Sequence, residues 1–392
     1  MGASHVIVVG GGIFGATSAH ALARRGHRVT LLEQGAVPDP LAASTDISKA
    51  VRLDYGHDDL YTALMEACLP TWERSVEVFG ARLFHGTGFL FMSRAPLAPG
   101  GFEFESLRVL ERRGHPFTRL NADALALGYP LWRASAYPDG YLNPRGGYVE
   151  SGRVVRAYAQ LAVLGGVSLR EQAIVKELYE TAEGVRGVVL ASGERLLADR
   201  VVVALGAFTP LLLPELSPML TSVGQPVFHF KPDQPDRFRG PTFPTWSADI
   251  STTGWYGFPA NAEGLVKVAH HGAGRRLRAD ETREVGPDEE GRFREFLSTT
   301  FPALADAPIE STRLCLYCDT VDGDFLIDAV PGRDGLYVST GGSGHAFKFA
   351  PMLGELTADV IDDRDNPFRR RFSYRTESRP RSEEARFTAA GS

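Results

Sequence analysis

The residues of this chain best suited to chemistry fall in four places. The first is Gly10-Gly11-Gly12-Ile13-Phe14-Gly15, with Glu33 following 23 residues after Gly10. The second is the pair Lys49 and Arg52, two cations three residues apart in the polar stretch 42–56. The third is Lys267 with the adjacent His270 and His271. The fourth is Cys315, Tyr317 and Cys318, with Gly341-Gly342-Ser343-Gly344-His345-Ala346-Phe347-Lys348 downstream. In the first group Gly10 allows a tight turn, Gly12 lets backbone approach a diphosphate, and Gly15 lets a helix pack closely on a strand. A diphosphate there would meet unpaired N–H groups and the positive end of the helix dipole. The Glu33 carboxylate can accept hydrogen bonds from ribose hydroxyls and would repel a 2′-phosphate. Other chemistries fit less well. The adjacent histidines have no partner at metal-ligand spacing, and no G-x-S-x-G elbow is present for a serine hydrolase.

The elements around these residues support the first reading. His5 to Val9 is a short β-branched run suited to a buried parallel strand. Ala16 to Arg25 reads as a helix stopped by Gly26, and Arg28 to Leu32 as a second strand closed by Glu33. Strand, glycine turn, helix, strand and acid form one dinucleotide unit. No second such unit follows. One dinucleotide with a large remaining module fits a tightly held flavin. Residues 58–80 predict a long amphipathic helix, kinked at Pro70. Residues 82–148, rich in Gly, Pro and aromatics, predict mixed strands and loops. Residues 151–164 predict a helix, residues 167–178, 187–190 and 200–204 strands, and residues 221–317 a strand-rich region interrupted by one helix near 288–299. Short strands at 325–327 and 336–339 and a last helix near 352–361 close the pattern. The expected class is α/β; what the pattern alone does not order, the family resemblance given below implies: a discontinuous Rossmann-like FAD-binding domain (1–81, 149–220 and 318–376) with an inserted β-rich, mixed or antiparallel substrate domain (82–148 and 221–317). Residues 377–392, rich in Arg, Glu and Ser, are expected to be disordered.

Composition sets outer limits. The 392 residues carry 42 Lys+Arg and 48 Asp+Glu, a net charge of −6, and the pI is near 6.0. That balance speaks against binding a nucleic-acid backbone, which needs a clustered basic surface. Three cysteines cannot build a disulfide framework. No apolar run reaches a membrane-spanning ~18 residues, and the start lacks a basic segment with a cleavage site. The expectation is a cytoplasmic protein with no membrane or nucleic-acid partner.

The C-terminal block makes a specific likeness. Cys315-Leu-Tyr317-Cys318-Asp-Thr320, Asp324-Phe-Leu-Ile-Asp328 and the run Gly341 to Phe349 resemble the monomeric sarcosine oxidase family. That family includes the N-methyltryptophan, pipecolate, saccharopine and fructosyl amino acid oxidases, within the D-amino-acid-oxidase-like flavoenzymes. The likeness extends to the glycine turn, Lys49 with Arg52, Gly206 to Pro210, Tyr256 to Pro259, and Lys267. It implies FAD held at Gly10, Gly12, Ile13, Phe14, Gly15, Glu33, Ser44 and Gly206. Val175 would touch the adenine, and Gly341, Gly342, Gly344, His345, Phe347 and Lys348 would lie along the far side. It implies a thioether from Cys315 to the flavin, with Cys318 as the competing position. Lys267 would lie over the flavin N5 edge and promote oxygen reduction, and Lys49 would face the flavin, a lysine as in the fructosyl branch. Arg52 and Lys348 would hold a substrate carboxylate, a bidentate fork beside a point charge. Tyr256, Tyr317, His271 and Gly344 would line the substrate pocket, with His270 as the alternative to His271. Gly342 departs from the sarcosine branch, where a bulky aromatic stands, and would enlarge the pocket.

The implied function is an FAD-dependent oxidase of a secondary or N-substituted amino acid (N-methyl, cyclic or glycated), yielding an imine and hydrogen peroxide from O2. The partners are the small-molecule amine and O2, and a monomer is expected. Two alternatives stay open: a flavin-dependent amine dehydrogenase with another acceptor, and a non-catalytic flavin-binding protein.

Overall fold

The structure is a computed structural model that describes residues 2–375. The tail expected to be disordered, 377–392, lies outside the described residues. The first strand, β1 (His5–Val9), is the pivot of a six-stranded sheet in the order 326–329, 336–340, 200–203, β1, β2 (Arg28–Leu32), 168–170. All neighbours are parallel except the 326–329 edge strand. Side chains of a strand alternate between faces, and β1 shows it. Val6 and Val8 enter the core beneath the helices, while Ile7 and Val9 enter the core beneath a small three-stranded sheet, 175–181, 184–190 and 195–197. A strand buried on both faces must be apolar throughout, hence the unbroken run of Val and Ile.

Helix α1 (Ile13–Arg24) lies on the first of these faces, between the helices 151–164 and 350–362. Its packing is backbone to backbone. A Cβ on Gly15 would stand 1.8 Å from the Gly10 carbonyl oxygen, and one on Gly354 would stand 2.1 Å from the Thr17 carbonyl oxygen.

A nine-stranded sheet makes the second layer. Eight strands run in the order 275–276, 220–230, 266–270, 255–258, 245–248, 89–93, 139–143, 118–121, and the long 309–320 strand pairs with 220–230 along its length. Phe293, Phe296 and Leu297 of the 289–300 helix pack on Phe228, Trp246 and Trp255 and close its back.

Three local expectations change. Residues 82–148 hold two helices, 102–112 and 122–128. The first buries Glu103, Ser106, Leu107 and Leu110 along one side, a stripe disguised by its polar members; the second is capped by the Asn121 side chain, which accepts from the Ala124 N–H. The 58–80 helix is two helices, 59–73 and 75–79, parted at Arg74 one turn after Pro70. Pro70 itself sits inside the first helix. The 167–178 strand is also two, 168–170 and 175–181, in different sheets. Gln172, at φ 56°, turns the chain between them.

Candidate active site

The glycine turn opens into an elongated cavity of about 1160 Å³ of atom-free space, mouth included. One wall is Gly10, Gly12, Ile13, Phe14 and Glu33, continued by Ala42, Ala43, Ser44 and Lys49. The facing wall is Ala204 to Phe208, Leu316 to Cys318, Gly342, Gly344, Ala346 and Phe347. These segments lie up to some 330 residues apart in sequence and meet because the 200–203 strand pairs with β1 and the 336–340 strand pairs with 200–203, while the 309–320 strand comes from the second sheet.

The diphosphate end has the features the turn needs. Gly10 sits at φ 107°, where a Cβ would stand 2.5 Å from the Ala204 carbonyl oxygen. No side chain caps α1 at Gly12, and no acid occupies its first turn, so the end stays electropositive. Glu33 binds the turn from below. One carboxylate oxygen accepts from Gly11 N–H at 2.6 Å and the other from Gly35 N–H at 3.1 Å. Each oxygen retains a lone pair for a further donor, so Glu33 holds the turn and can still accept from a ligand hydroxyl. The Ser44 hydroxyl lies 3.2 Å from Ile13 N–H. An anion-receptive helix end, a buried carboxylate and a long apolar trough make a set that fits FAD.

The other end holds the ionisable groups. Tyr317 and Tyr256 hydroxyls are 3.4 Å apart. The His271 ring lies 6.0 Å from the Tyr317 ring and 6.4 Å from the Tyr256 ring. Gly344, at φ 74°, closes on them; a Cβ there would stand 2.4 Å from the Tyr317 ring and 2.9 Å from His271. His270 points elsewhere. Its Nε2 meets the Thr253 carbonyl at 2.8 Å and its ring packs against Trp255. Burial, reinforced by Arg292, pulls its pKa down to about 4. Of the two histidines, His271 is the one beside the tyrosines.

Arg52 and Lys348 are both buried and both border Tyr55. The Arg52 guanidinium lies 4.9 Å from the Tyr55 ring centre and 5.5 Å from that of Phe102. Lys348 Nζ donates to the Tyr55 hydroxyl at 2.7 Å and to the His345 carbonyl at 2.8 Å. Lys267 is 1% exposed, and its Nζ donates to Asp46 Oδ2 and to the Ser48 carbonyl, both at 2.7 Å. Burial lowers its pKa to about 8, against the raising pull of Asp46. Lys49 Nζ lies 3.9 Å from Cys315 Sγ, whose thiol faces the Ala43 carbonyl.

The structure thus separates the residues marked in the sequence into two sets. Gly10, Gly12, Ile13, Phe14, Glu33, Ser44, Lys49, Gly206, Tyr317, Gly342, Gly344 and Phe347 line the cavity. Gly15, Gly341, His345, Lys348, Arg52, Tyr256, His271 and Lys267 are not among the residues that line it, nor is Cys315, which touches the lining through Lys49 and Ala43. Cys318, the competing cysteine, is on the wall itself. Burial pushes its thiol up to about 11. Val175 lies in the small sheet, paired with Leu190. Sequence reasoning passed over Asp46, Tyr55, His229 and Arg283, all of which border these groups. One signal was available. The chain has only five lysines among its 42 basic residues, and three of them, Lys49, Lys267 and Lys348, converge here.

Comparison with known proteins agrees with this geometry. The family model described as FAD dependent oxidoreductase (DAO) matches residues 5–360. Monomeric sarcosine oxidase of Bacillus sp. (strain B-0618) is 26% identical over 363 residues, covering 91% of this chain and 91% of its own. N-methyl-L-tryptophan oxidase of Salmonella heidelberg (strain SL476) is 26% identical over 362 residues, covering 90% and 93%. Among solved structures, the fructosyl amine:oxygen oxidoreductase (Amadoriase I) of Aspergillus fumigatus superposes with a TM-score of 0.82 at 23% identity, over 95% of this chain and 90% of that one. The same architecture, carried by this turn, this carboxylate and this cavity, makes the chain a member of the FAD-dependent oxidoreductase (DAO) family.

Proposed function

We propose that this flavoprotein is an oxidase of a secondary or N-substituted amino acid, taking two electrons from the C–N bond and passing them to O2. The observation that carries it is the cavity that opens from the glycine turn and reaches Lys49, Tyr317 and Gly344, with Tyr256 and His271 packed against Tyr317. FAD, when bound, supplies the two-electron chemistry. The chain supplies the rest. Arg52 and Lys348 receive the carboxylate, which fixes the substrate's orientation. Tyr256, Tyr317 and His271 border the amine. The amine must shed its proton before reaction, since an ammonium has no lone pair to assist loss of the neighbouring hydrogen. Lys267 and Lys49 place positive charge where oxygen becomes anionic, a stabilisation realised only as the step proceeds. Cys315 carries the thioether. Work as a monomer, with the FAD-binding and substrate modules divided as the sequence suggests, completes the reading.

The test is anaerobic mixing with a panel of N-methyl, cyclic and glycated amino acids, followed by admission of oxygen. Rapid bleaching of the yellow colour by at least one class, and one peroxide per turnover, is expected. Bleaching without peroxide makes the protein a dehydrogenase. No bleaching by any class overturns the reading.

A further inference from the structure

Lys267 is the most enclosed cation of the site, and a buried ammonium is costly unless an opposite charge holds it. The opposite charge here is Asp46, a residue with no other assigned task. Its side chain, like that of Lys267, is 1% exposed. One carboxylate oxygen accepts from Lys267 at 2.7 Å; the other accepts from the Ile47 N–H at 2.7 Å and meets His229 Nε2 at 3.0 Å. His229 is fixed in turn by Ser311 through Nδ1 at 3.0 Å. The sheet builds this arrangement directly, because His229 is the cross-strand neighbour of both Lys267 and Ser311. A second cavity, lined by Asp46, His229, Leu265, Ser311 and Arg313, reaches the carboxylate. Arg283 lines both cavities.

We propose that Asp46, locked by His229, is the positioning residue that fixes the Lys267 ammonium beside the flavin cavity and keeps it charged. This rests on the reading that Lys267 serves oxygen reduction. The groups facing Lys267 decide its charge. Burial and the nearby Lys49 favour the neutral amine, and Asp46 favours the ammonium. Phe258 presents its ring 4.7 Å away. His229 and Arg313 lie on the far side of Asp46, where Arg313 donates to the Thr45 carbonyl. Asp46 is therefore the dominant group opposing neutralisation. The carboxylate itself is held well below its usual range by Lys267, His229 and Lys49, against its burial, so it stays charged across the working range of the enzyme.

The experiment uses the holoenzyme labelled with [13Cε]lysine. Five lysines give five resonances, and Lys267 is the one absent from Lys267→Met. In the wild type this resonance is expected to titrate at about 8. In Asp46→Asn the midpoint falls by roughly 1 to 3 pH units, as expected when an opposite charge at contact distance is removed. An unmoved midpoint overturns the proposal. Should Asp46→Asn fail to fold, Lys267→Met labelled with [13Cγ]aspartate asks the reciprocal question. The Asp46 resonance must then titrate at higher pH than in the wild type, and no change overturns the proposal equally. Stopped-flow reoxidation of the reduced holoenzyme by O2 separates the two layers. A pH profile that follows the NMR midpoint in both proteins supports both. A moved midpoint with an unmoved profile upholds Asp46 as the holder of the charge and overturns the role of Lys267 with oxygen.

Discussion

Replacing Gly15 by alanine tests the close packing on which the cofactor turn depends. In an ordinary helix interior the change would stabilise by about 1 kcal/mol, because alanine is the better helix former. Here the added Cβ would lie 1.8 Å from the Gly10 carbonyl oxygen, and real Cβ atoms essentially never come under 3.0 Å. Helix and turn must separate by at least 1.2 Å, the difference between those two distances. α1 has no free side to move toward, since Gly354 of the last helix meets Thr17 on its other flank. The obstacle is backbone, which does not rotate away. The cost should therefore reach the upper end of the overpacking range, about 3 kcal/mol, and lower Tm by roughly 4 °C. Moving the turn amides by this distance should also weaken the reversible docking of FAD that precedes the thioether at least tenfold, about 1.4 kcal/mol, and with it the yield of flavinated protein. Gly12→Ala is the control. Its Cβ would meet only the Ser44 hydroxyl, at 3.2 Å, so it should lose flavin with little loss of Tm. The assay is the 450 to 280 nm absorbance ratio of the purified proteins together with thermal melts. A Gly15→Ala protein with wild-type Tm and full flavin content would refute the packing argument, and a fully flavinated Gly12→Ala protein would refute the backbone-approach argument.

Three further outcomes are expected. Cys315→Ala should release its yellow colour into the supernatant on acid precipitation, while Cys318→Ala keeps it in the pellet; the reverse pattern moves the thioether to the cavity-wall cysteine. Lys267→Met should slow reoxidation by oxygen at least 100-fold while changing anaerobic flavin reduction less than tenfold, as stopped-flow absorbance would read; removing one stabilising group of this kind typically costs about 3 kcal/mol. His270 is held neutral down to about pH 4, whereas in the unfolded chain it protonates near the ordinary histidine value of 6.5. The unfolded state thus binds its proton first, and folding stability falls between pH 6.5 and 4 by on the order of 3 kcal/mol. His270→Gln should flatten that part of the stability curve measured by urea unfolding, and an unchanged slope would contradict the burial argument.

The parts of this molecule legible in its sequence are those whose cause is local. The βαβ unit could be read because turn, helix and strand lie within 30 residues and each glycine has a nearby reason. The helix at 289–300 and the last helix could be read from their periodicity. What escaped was either disguised or distant. The 102–112 helix buries Glu103 and Ser106, so its stripe does not look apolar. The break at 171–174 depends on a positive φ at Gln172, which no pattern of hydrophobicity reports. Asp46 and His229 stand 183 residues apart. Nothing near either residue announces the other: Asp46 lies in the loop before the 49–51 strand and His229 in the 220–230 strand, and only the tertiary fold makes them neighbours. The family likeness supplied the roles of Arg52, Lys267 and Lys348, but it left Tyr55, shared by two of these cations, unnoticed.

The wedging of α1 against the 350–362 helix also governs when the cofactor site comes into being. The amino-terminal turn leaves the ribosome first, yet the helix that braces it, and the 336–340 strand of the same sheet, are among the last described segments to be synthesised. A nascent chain halted at residue 330 would carry every glycine of the diphosphate motif and still lack the buttress behind it, as well as the Gly342 to Phe347 side of the trough. Flavin capture therefore belongs to the released polypeptide, and amino-terminal fragments should emerge colourless however well they are supplied with riboflavin.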